Sequence, residues 1–255
     1  MAADERATEL VEGQRALSLG WPQRYGSAGV RRRIEKMSSL WPLTGERLLD
    51  LGCGNGSYTT VMAAGFQETY GVEIETQRLA EFRAHLDQHP VPGVHALAMS
   101  GEQLDFADGH FDVVTAIEVI EHVLDLPAAV REVHRVLKPG GAFVITAPNR
   151  WFPIETHSFK VRGREVPSKY WPLVPWVPPM HRRLSTARNF RPKDLRRLLL
   201  PVGFSEVGID YLMPPFDQWG PGRFIAPITD RLERTRAATF GVSLIAAYRR
   251  LGPSE

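Results

Sequence analysis

The stretch Leu48-Leu49-Asp50-Leu51-Gly52-Cys53-Gly54-Asn55-Gly56 limits the fold more than any other part of this chain. An apolar strand runs straight into three alternating glycines, and a helical stretch follows. Glycine is needed where the backbone turns sharply and must approach a ligand without a Cβ in the way. The surroundings repeat the theme. From Glu46 to Ala147, short β-rich apolar runs alternate with helical stretches, the pattern of a parallel sheet with crossover helices. Strands are expected at Arg47–Leu51, Glu68–Val72, Val94–Ala98, Asp112–Ile117 and Ala142–Thr146. Helices are expected near Tyr58–Ala64, Gln77–Gln88 and Leu126–Leu137, the last stopped by Lys138-Pro139-Gly140-Gly141.

Outside this core, Ser27–Leu40 reads as a basic helix, and Pro192–Leu200 as a second one after an irregular, proline- and aromatic-rich stretch. A strand at Ser205–Leu212, a Pro/Gly-rich loop, a helix near Thr229–Ala238 and a strand at Val242–Arg249 complete the chain. That makes seven strands. The single cysteine, Cys53, excludes an internal disulfide and a multi-cysteine zinc site. No run approaches the roughly 18 apolar residues of a membrane span, and Met1–Glu12 has no apolar core of the signal-peptide kind. A soluble cytoplasmic protein is therefore expected. Residues 1–150 carry 14 Lys+Arg against 20 Asp+Glu, whereas 151–255 carry 17 against 9, so the two parts are expected to meet different partners.

Three features narrow the ligand of the glycine loop. It lacks the Lys and Ser/Thr that close a nucleoside-triphosphate loop. Asp50, at the strand tip, would repel a pyrophosphate and attract an ammonium group. Glu73 ends the second strand, where a carboxylate can accept hydrogen bonds from both hydroxyls of a ribose. A ribose, an amino group and no phosphate describe S-adenosylmethionine (SAM).

The motifs LLDLGCGNG (48–56), YGVEIE (70–75), FDVVTAIEVIEHV (111–123) and LKPGGAFVITAPN (137–149) resemble those of class I SAM-dependent methyltransferases in order and spacing. The resemblance implies a Rossmann-like α/β fold, a seven-stranded, mostly parallel sheet with its last strand antiparallel. It implies that Gly52, Gly54 and Gly56 line the cofactor and that Glu73 and Ile74 hold the ribose. Ser100 and Gly101, standing where many members carry an aspartate, would flank the adenine, and Ile117 would pack beside the sulfonium.

After the fourth strand, Glu118, Glu121 and His122 are spaced to share one helical face at the carboxyl end of the sheet. Two carboxylates and an imidazole suit a divalent cation, Mg²⁺ or Mn²⁺, or a metal-free general base in which His122 takes the proton of an acceptor hydroxyl. The arrangement resembles the ubiquinone-pathway O-methyltransferases and the small-RNA 3′-terminal 2′-O-methyltransferases, which use it around a metal. His157, in the run Pro153-Ile154-Glu155-Thr156-His157, lies where the RNA enzymes place a further histidine, and joins His122 and Glu121 as a candidate catalytic residue.

Four regions follow: an N-terminal helical segment (1–45), the SAM-binding core (46–150), an insertion expected to act as a substrate lid (151–190) and the C-terminal completion of the sheet (191–255). The run Tyr170–Met180 is too rich in proline for a regular helix. Its aromatics suit a cover over the domain's own core, a hydrophobic or lipid-like acceptor, or a bilayer surface. Its basic flank (His181, Arg182, Arg183, Arg188, Arg191, Lys193, Arg196 and Arg197) suits anionic headgroups or, as the least favoured partner, nucleic acid. The expected activity is methyl transfer to a small-molecule hydroxyl. An RNA ribose 2′-O-methyltransferase and a non-catalytic SAM-binding partner are its rivals.

Overall fold

The computed structural model describes residues 24–155, 157, 159–161, 164–166, 172–214, 231–233 and 235–252. The acidic start of the chain, Tyr170, Trp171 and the beginning of the helix expected near Thr229–Ala238 lie outside the described residues.

In chain order, helix α1 (Ala28–Leu40) precedes β1 (Gly45–Leu51), α2 (Thr59–Met62), β2 (Phe66–Glu73), α3 (Thr76–Gln88), β3 (Val94–Ala98), β4 (Phe111–Ile117), α4 (Leu126–Val136) and β5 (Leu137–Pro148). The insertion then contributes a two-stranded ribbon, β6 (Phe159–Val161) and β7 (Arg164–Val166), and helix α5 (Pro178–Leu184). Helix α6 (Pro192–Leu199), β8 (Phe204–Leu212) and β9 (Ser243–Arg250) return to the sheet. Seven strands pair in the order β3-β2-β1-β4-β5-β9-β8. The first five run parallel, and β9 is antiparallel to both β5 and β8. This is the expected Rossmann-like class.

Period-two alternation explains why both faces are covered. Leu48, Val113 and Val144 point to the side that holds Met37 of α1 and Met62 of α2. Their neighbours Leu49, Val114 and Phe143 point to the side of Val130 and Val133 of α4. The register sets Asp50 opposite Gly71 on one side and Thr115 on the other, so the tips of β1, β2 and β4 end level.

Three local expectations are corrected. Helix α4 stops at Val136, and Leu137 is already extended and paired with Phe111; Lys138, placed before Pro139, is barred from continuing a helix. The proline-rich run does contain a helix, because Pro178 and Pro179 occupy the first turn of α5, where no backbone N–H is needed. Within the span expected as a helix at Thr229–Ala238, Arg236–Phe240 forms a 3-10 turn capped by the Thr235 hydroxyl.

The insertion has a closed neck. Asn149 bridges Phe190, Arg150 N–H donates to the Phe190 carbonyl at 3.0 Å, and Phe190 N–H donates to Pro148 at 2.9 Å. The Asn149 side chain donates to the carbonyls of Thr239 and Gly241, fixing the neck to the turn before β9.

Candidate active site

The level tips of β1, β2 and β4 open into one cavity. Gly52 has φ 65°, and a Cβ there would strike Val119, so only glycine fits between this loop and the loop after β4. Gly54, at φ 55°, has nothing within 4 Å of where a Cβ would stand, leaving its face open to a ligand. Gly56 corrects the expectation: it is absent from the cavity wall and packs on the ring of Phe82. The other residues expected at the cofactor, Asp50, Glu73, Ile74, Ser100, Gly101 and Ile117, all line the cavity.

Glu73 is held from three sides. Its Oε2 accepts from Gly54 N–H at 2.9 Å, and its Oε1 accepts from Ile74 and Glu75 N–H at 2.8 and 3.0 Å. The carboxylate thereby ties the glycine loop to the end of β2 and keeps lone pairs for further donors. Asp50 is buried, with Oδ2 accepting from the Thr59 hydroxyl at 2.6 Å and Oδ1 from that of Thr115 at 2.9 Å. Burial pushes its carboxyl up to about 6 against the pull of those two hydroxyls. Ser100 is buried and accepts from Glu102 N–H.

Sequence reasoning missed Arg33. It reaches the cavity from α1, where Val30, Arg33 and Met37 follow the i, i+3, i+7 spacing of the buried stripe. Its Nη1 lies 3.3 Å from Glu118 Oε1, its Nη2 donates to the Ser243 hydroxyl, and the guanidinium stands over the ring of Tyr58. Its Nε is buried without a hydrogen-bond partner. An arginine at an apolar-stripe position was the available signal.

The expected Glu118–Glu121–His122 face is not formed. The segment after β4 is a turn, with His122 N–H donating to the Val119 carbonyl at 2.9 Å, and Glu118 has φ 54°. With a left-handed residue at the strand end, the Glu118 carboxylate pairs with Arg33 and the Thr146 hydroxyl while staying close enough to Glu121 to raise its carboxyl. The group that does converge is Glu121, His122 and His157, whose candidate ligand atoms lie within 4.8 Å of one another. Glu121 Oε1 stands 3.9 Å from His122 Nε2 and 4.0 Å from His157 Nε2. Of these three, only His122 lines the cavity. Burial, then His157 and the more distant Arg78 and Arg188, push the His122 imidazole down to about 3. Burial, then Glu118, push the Glu121 carboxyl well up. The pair is thus forced toward neutrality.

His157 is held by Glu155, its fellow candidate acceptor contact in the sequence, and Glu155 in turn by His181, which the sequence placed only in the basic flank. Glu155 Oε1 accepts from His157 N–H at 3.0 Å and lies 3.3 Å from its Nδ1, while Oε2 lies 2.6 Å from His181 Nε2.

The basic flank is partly spent within the fold. Arg188 donates to the carbonyls of Val123 and Leu124, Arg191 pairs with Asp194, and Arg196 with Glu206. Lys193, Arg197 and Arg183 are exposed. The apolar residues of the insertion divide: Phe159, Val174 and Ala187 are buried, whereas Trp151, Ile154, Leu173, Trp176, Val177 and Met180 are exposed. Among the described residues, no helix is long and apolar enough to cross a membrane.

Residues 49–145 match the methyltransferase domain family. The chain is 33% identical over 118 residues to a ubiquinone biosynthesis O-methyltransferase of Pseudomonas aeruginosa, covering 46% of this chain and 51% of that one. It is 25% identical over 218 residues to a protein of the same name from Methylococcus capsulatus, covering 86% and 82%. A crystal structure of a SAM-dependent methyltransferase from Mesorhizobium loti superposes with a TM-score of 0.59 at 20% identity, over 85% of this chain and 96% of that one. Residues 49–145 thus carry a methyltransferase domain, and the fold around them is that of the class I SAM-dependent methyltransferases. The cofactor of that class is SAM. The chain spans about half the length of the Pseudomonas relative.

Proposed function

We propose that this protein transfers the methyl group of SAM to a hydroxyl of a small, hydrophobic acceptor. The observation that carries the reading is His122, a buried imidazole on the cavity wall near Ile117, backed by Glu121. In an in-line displacement the acceptor oxygen attacks the methyl carbon, the carbon–sulfur bond breaks and the neutral thioether leaves. The hydroxyl proton goes to His122. Burial keeps that ring neutral and ready to accept a hydrogen bond from the acceptor, with the buried Glu121 carboxyl, itself pushed toward its neutral form, 3.9 Å away. The sulfonium is already an excellent electrophile, so alignment and water exclusion carry much of the barrier. The relatives' name, O-methyltransferase, supports oxygen as the acceptor atom. The outward-facing tryptophans and aliphatics of the insertion support a hydrophobic acceptor met at a membrane surface, with peripheral contact through that face.

The same residues fit a divalent cation, Mg²⁺ or Mn²⁺. Both oxygens of buried Glu121 and both ring nitrogens of His122 lack hydrogen-bond partners, and His157 completes a set of one oxygen and two nitrogen donors. Glu121, His122 and His157 would hold the ion, which would lower the pKa of a hydroxyl beside it. Glu118 does not belong to this set.

The test is methyl transfer from labelled SAM into fractionated host extracts, with and without chelator. Label in the organic-solvent fraction supports the reading. Label in RNA would replace it with ribose methylation, and SAM binding without turnover in any fraction would replace it with a non-catalytic role.

A further inference from the structure

We infer that Glu155 is a positioning residue that fixes the tautomer and aim of His157, and that His181 seats the insertion on the active site through it. The inference rests on the methyl-transfer reading above and adds to it the part played by the insertion.

Glu155 is 4% exposed and lies between two imidazoles of the insertion. A buried carboxylate is costly unless donors surround it. Here one oxygen takes the backbone N–H of His157 and faces its Nδ1, and the other faces His181 Nε2 at 2.6 Å. A carboxylate beside Nδ1 holds the ring proton there and leaves the lone pair on Nε2, which faces Glu121 at 4.0 Å. The His157 ring stands 5.3 Å from that of His122, edge to face. The chain of contacts therefore runs from the cavity wall through Glu121 to His157, Glu155 and His181, and His181 belongs to α5. His181 thereby ties α5 to the carboxylate that holds His157, so the folded insertion and the His157 ring are set together.

The experiment is imidazole ¹⁵N correlation spectroscopy on the full-length protein with SAM bound, alongside SAM titration and methyl transfer. Wild-type His157 is expected to carry its proton on Nδ1. Glu155→Ala should release the ring to the Nε2-protonated form and slow transfer by about ten- to a hundredfold, with SAM affinity unchanged. Glu155→Gln, whose carbonyl still accepts from Nδ1, should restore the tautomer and most of the rate. Three results overturn the inference: a wild-type His157 protonated on Nε2, an unaltered tautomer in Glu155→Ala, or a parallel loss of SAM binding. Should Glu155→Ala not fold, the wild-type spectrum decides alone. Absence of transfer in the wild type with the Nδ1 tautomer intact overturns the proposed function and leaves the positioning standing.

Discussion

The guanidinium of Arg33, on the first helix, lies 3.3 Å from the carboxylate of Glu118, at the end of the fourth strand. Helix α1 is itself pinned to the far edge of the sheet by Lys36 on Asp210 of β8 at 2.7 Å, and to the turn residue Glu233 by Arg32 at 2.9 Å. A segment outside the core motifs thus places a cation on the cavity wall and pairs it with Glu118.

Arg33→Ala should weaken SAM binding by at least about tenfold, the cost of one charged hydrogen bond to the carboxylate of the donor. Calorimetric titration checks it. An unchanged affinity would restrict Arg33 to pairing with Glu118.

Asp50 makes both stability and affinity depend on pH. Its carboxyl sits at about 6 instead of the ordinary 3.8, so the folded chain holds a proton that the unfolded chain has lost. The associated stability is complete below the ordinary value and disappears as pH rises through about 6, amounting to about 3 kcal/mol. The ammonium of SAM favours the charged carboxylate, so affinity should tighten over the same rise. Thermal unfolding of wild type and Asp50→Asn, each with and without SAM, reads both effects. A flat wild-type profile would refute them.

Replacing Glu73 by Gln puts an amide N–H₂ against backbone donors at Gly54 or at Ile74 and Glu75. Leaving such donors unmatched costs about 1–3 kcal/mol. SAM affinity should fall by at least about tenfold, with a lower melting temperature, because the carboxylate both receives the ribose and anchors the loop. Loss of affinity with unchanged melting would assign it to the ligand alone.

His122→Ala should slow transfer by about a hundredfold or more while SAM affinity stays near that of the wild type. Glu121→Gln should slow it as well, and chelation of the wild type should do the same where a cation is bound. Equal loss of SAM binding in His122→Ala would make the histidine structural.

The α/β core could be read because its signals are local: glycines at a strand tip, and apolar runs alternating with helical stretches. The cavity residues Asp50, Glu73, Ser100 and Ile117 follow from their places at strand ends. The Glu118–Glu121–His122 face could not be read, because spacing presumes a helix and the left-handed backbone at Glu118 places its side chain against Arg33 and Thr146, far away in sequence. Gly56 looks like its two neighbours in the motif, and only Phe82 reveals that it packs inward. His181 was read only as part of a basic flank, because the helix begun at Pro178 and Pro179 that turns it toward Glu155 gives no local signal of that partner.

The bridge between Asn149 and Phe190 means that residues 150–189 depart from and return to the same point of the sheet. Closing a loop at a fixed neck depends only weakly on the length enclosed. The excursion can therefore be lengthened, shortened or traded for another without disturbing β5 or β9, which makes it the part of the molecule on which selection can rewrite acceptor preference while the donor side is inherited intact.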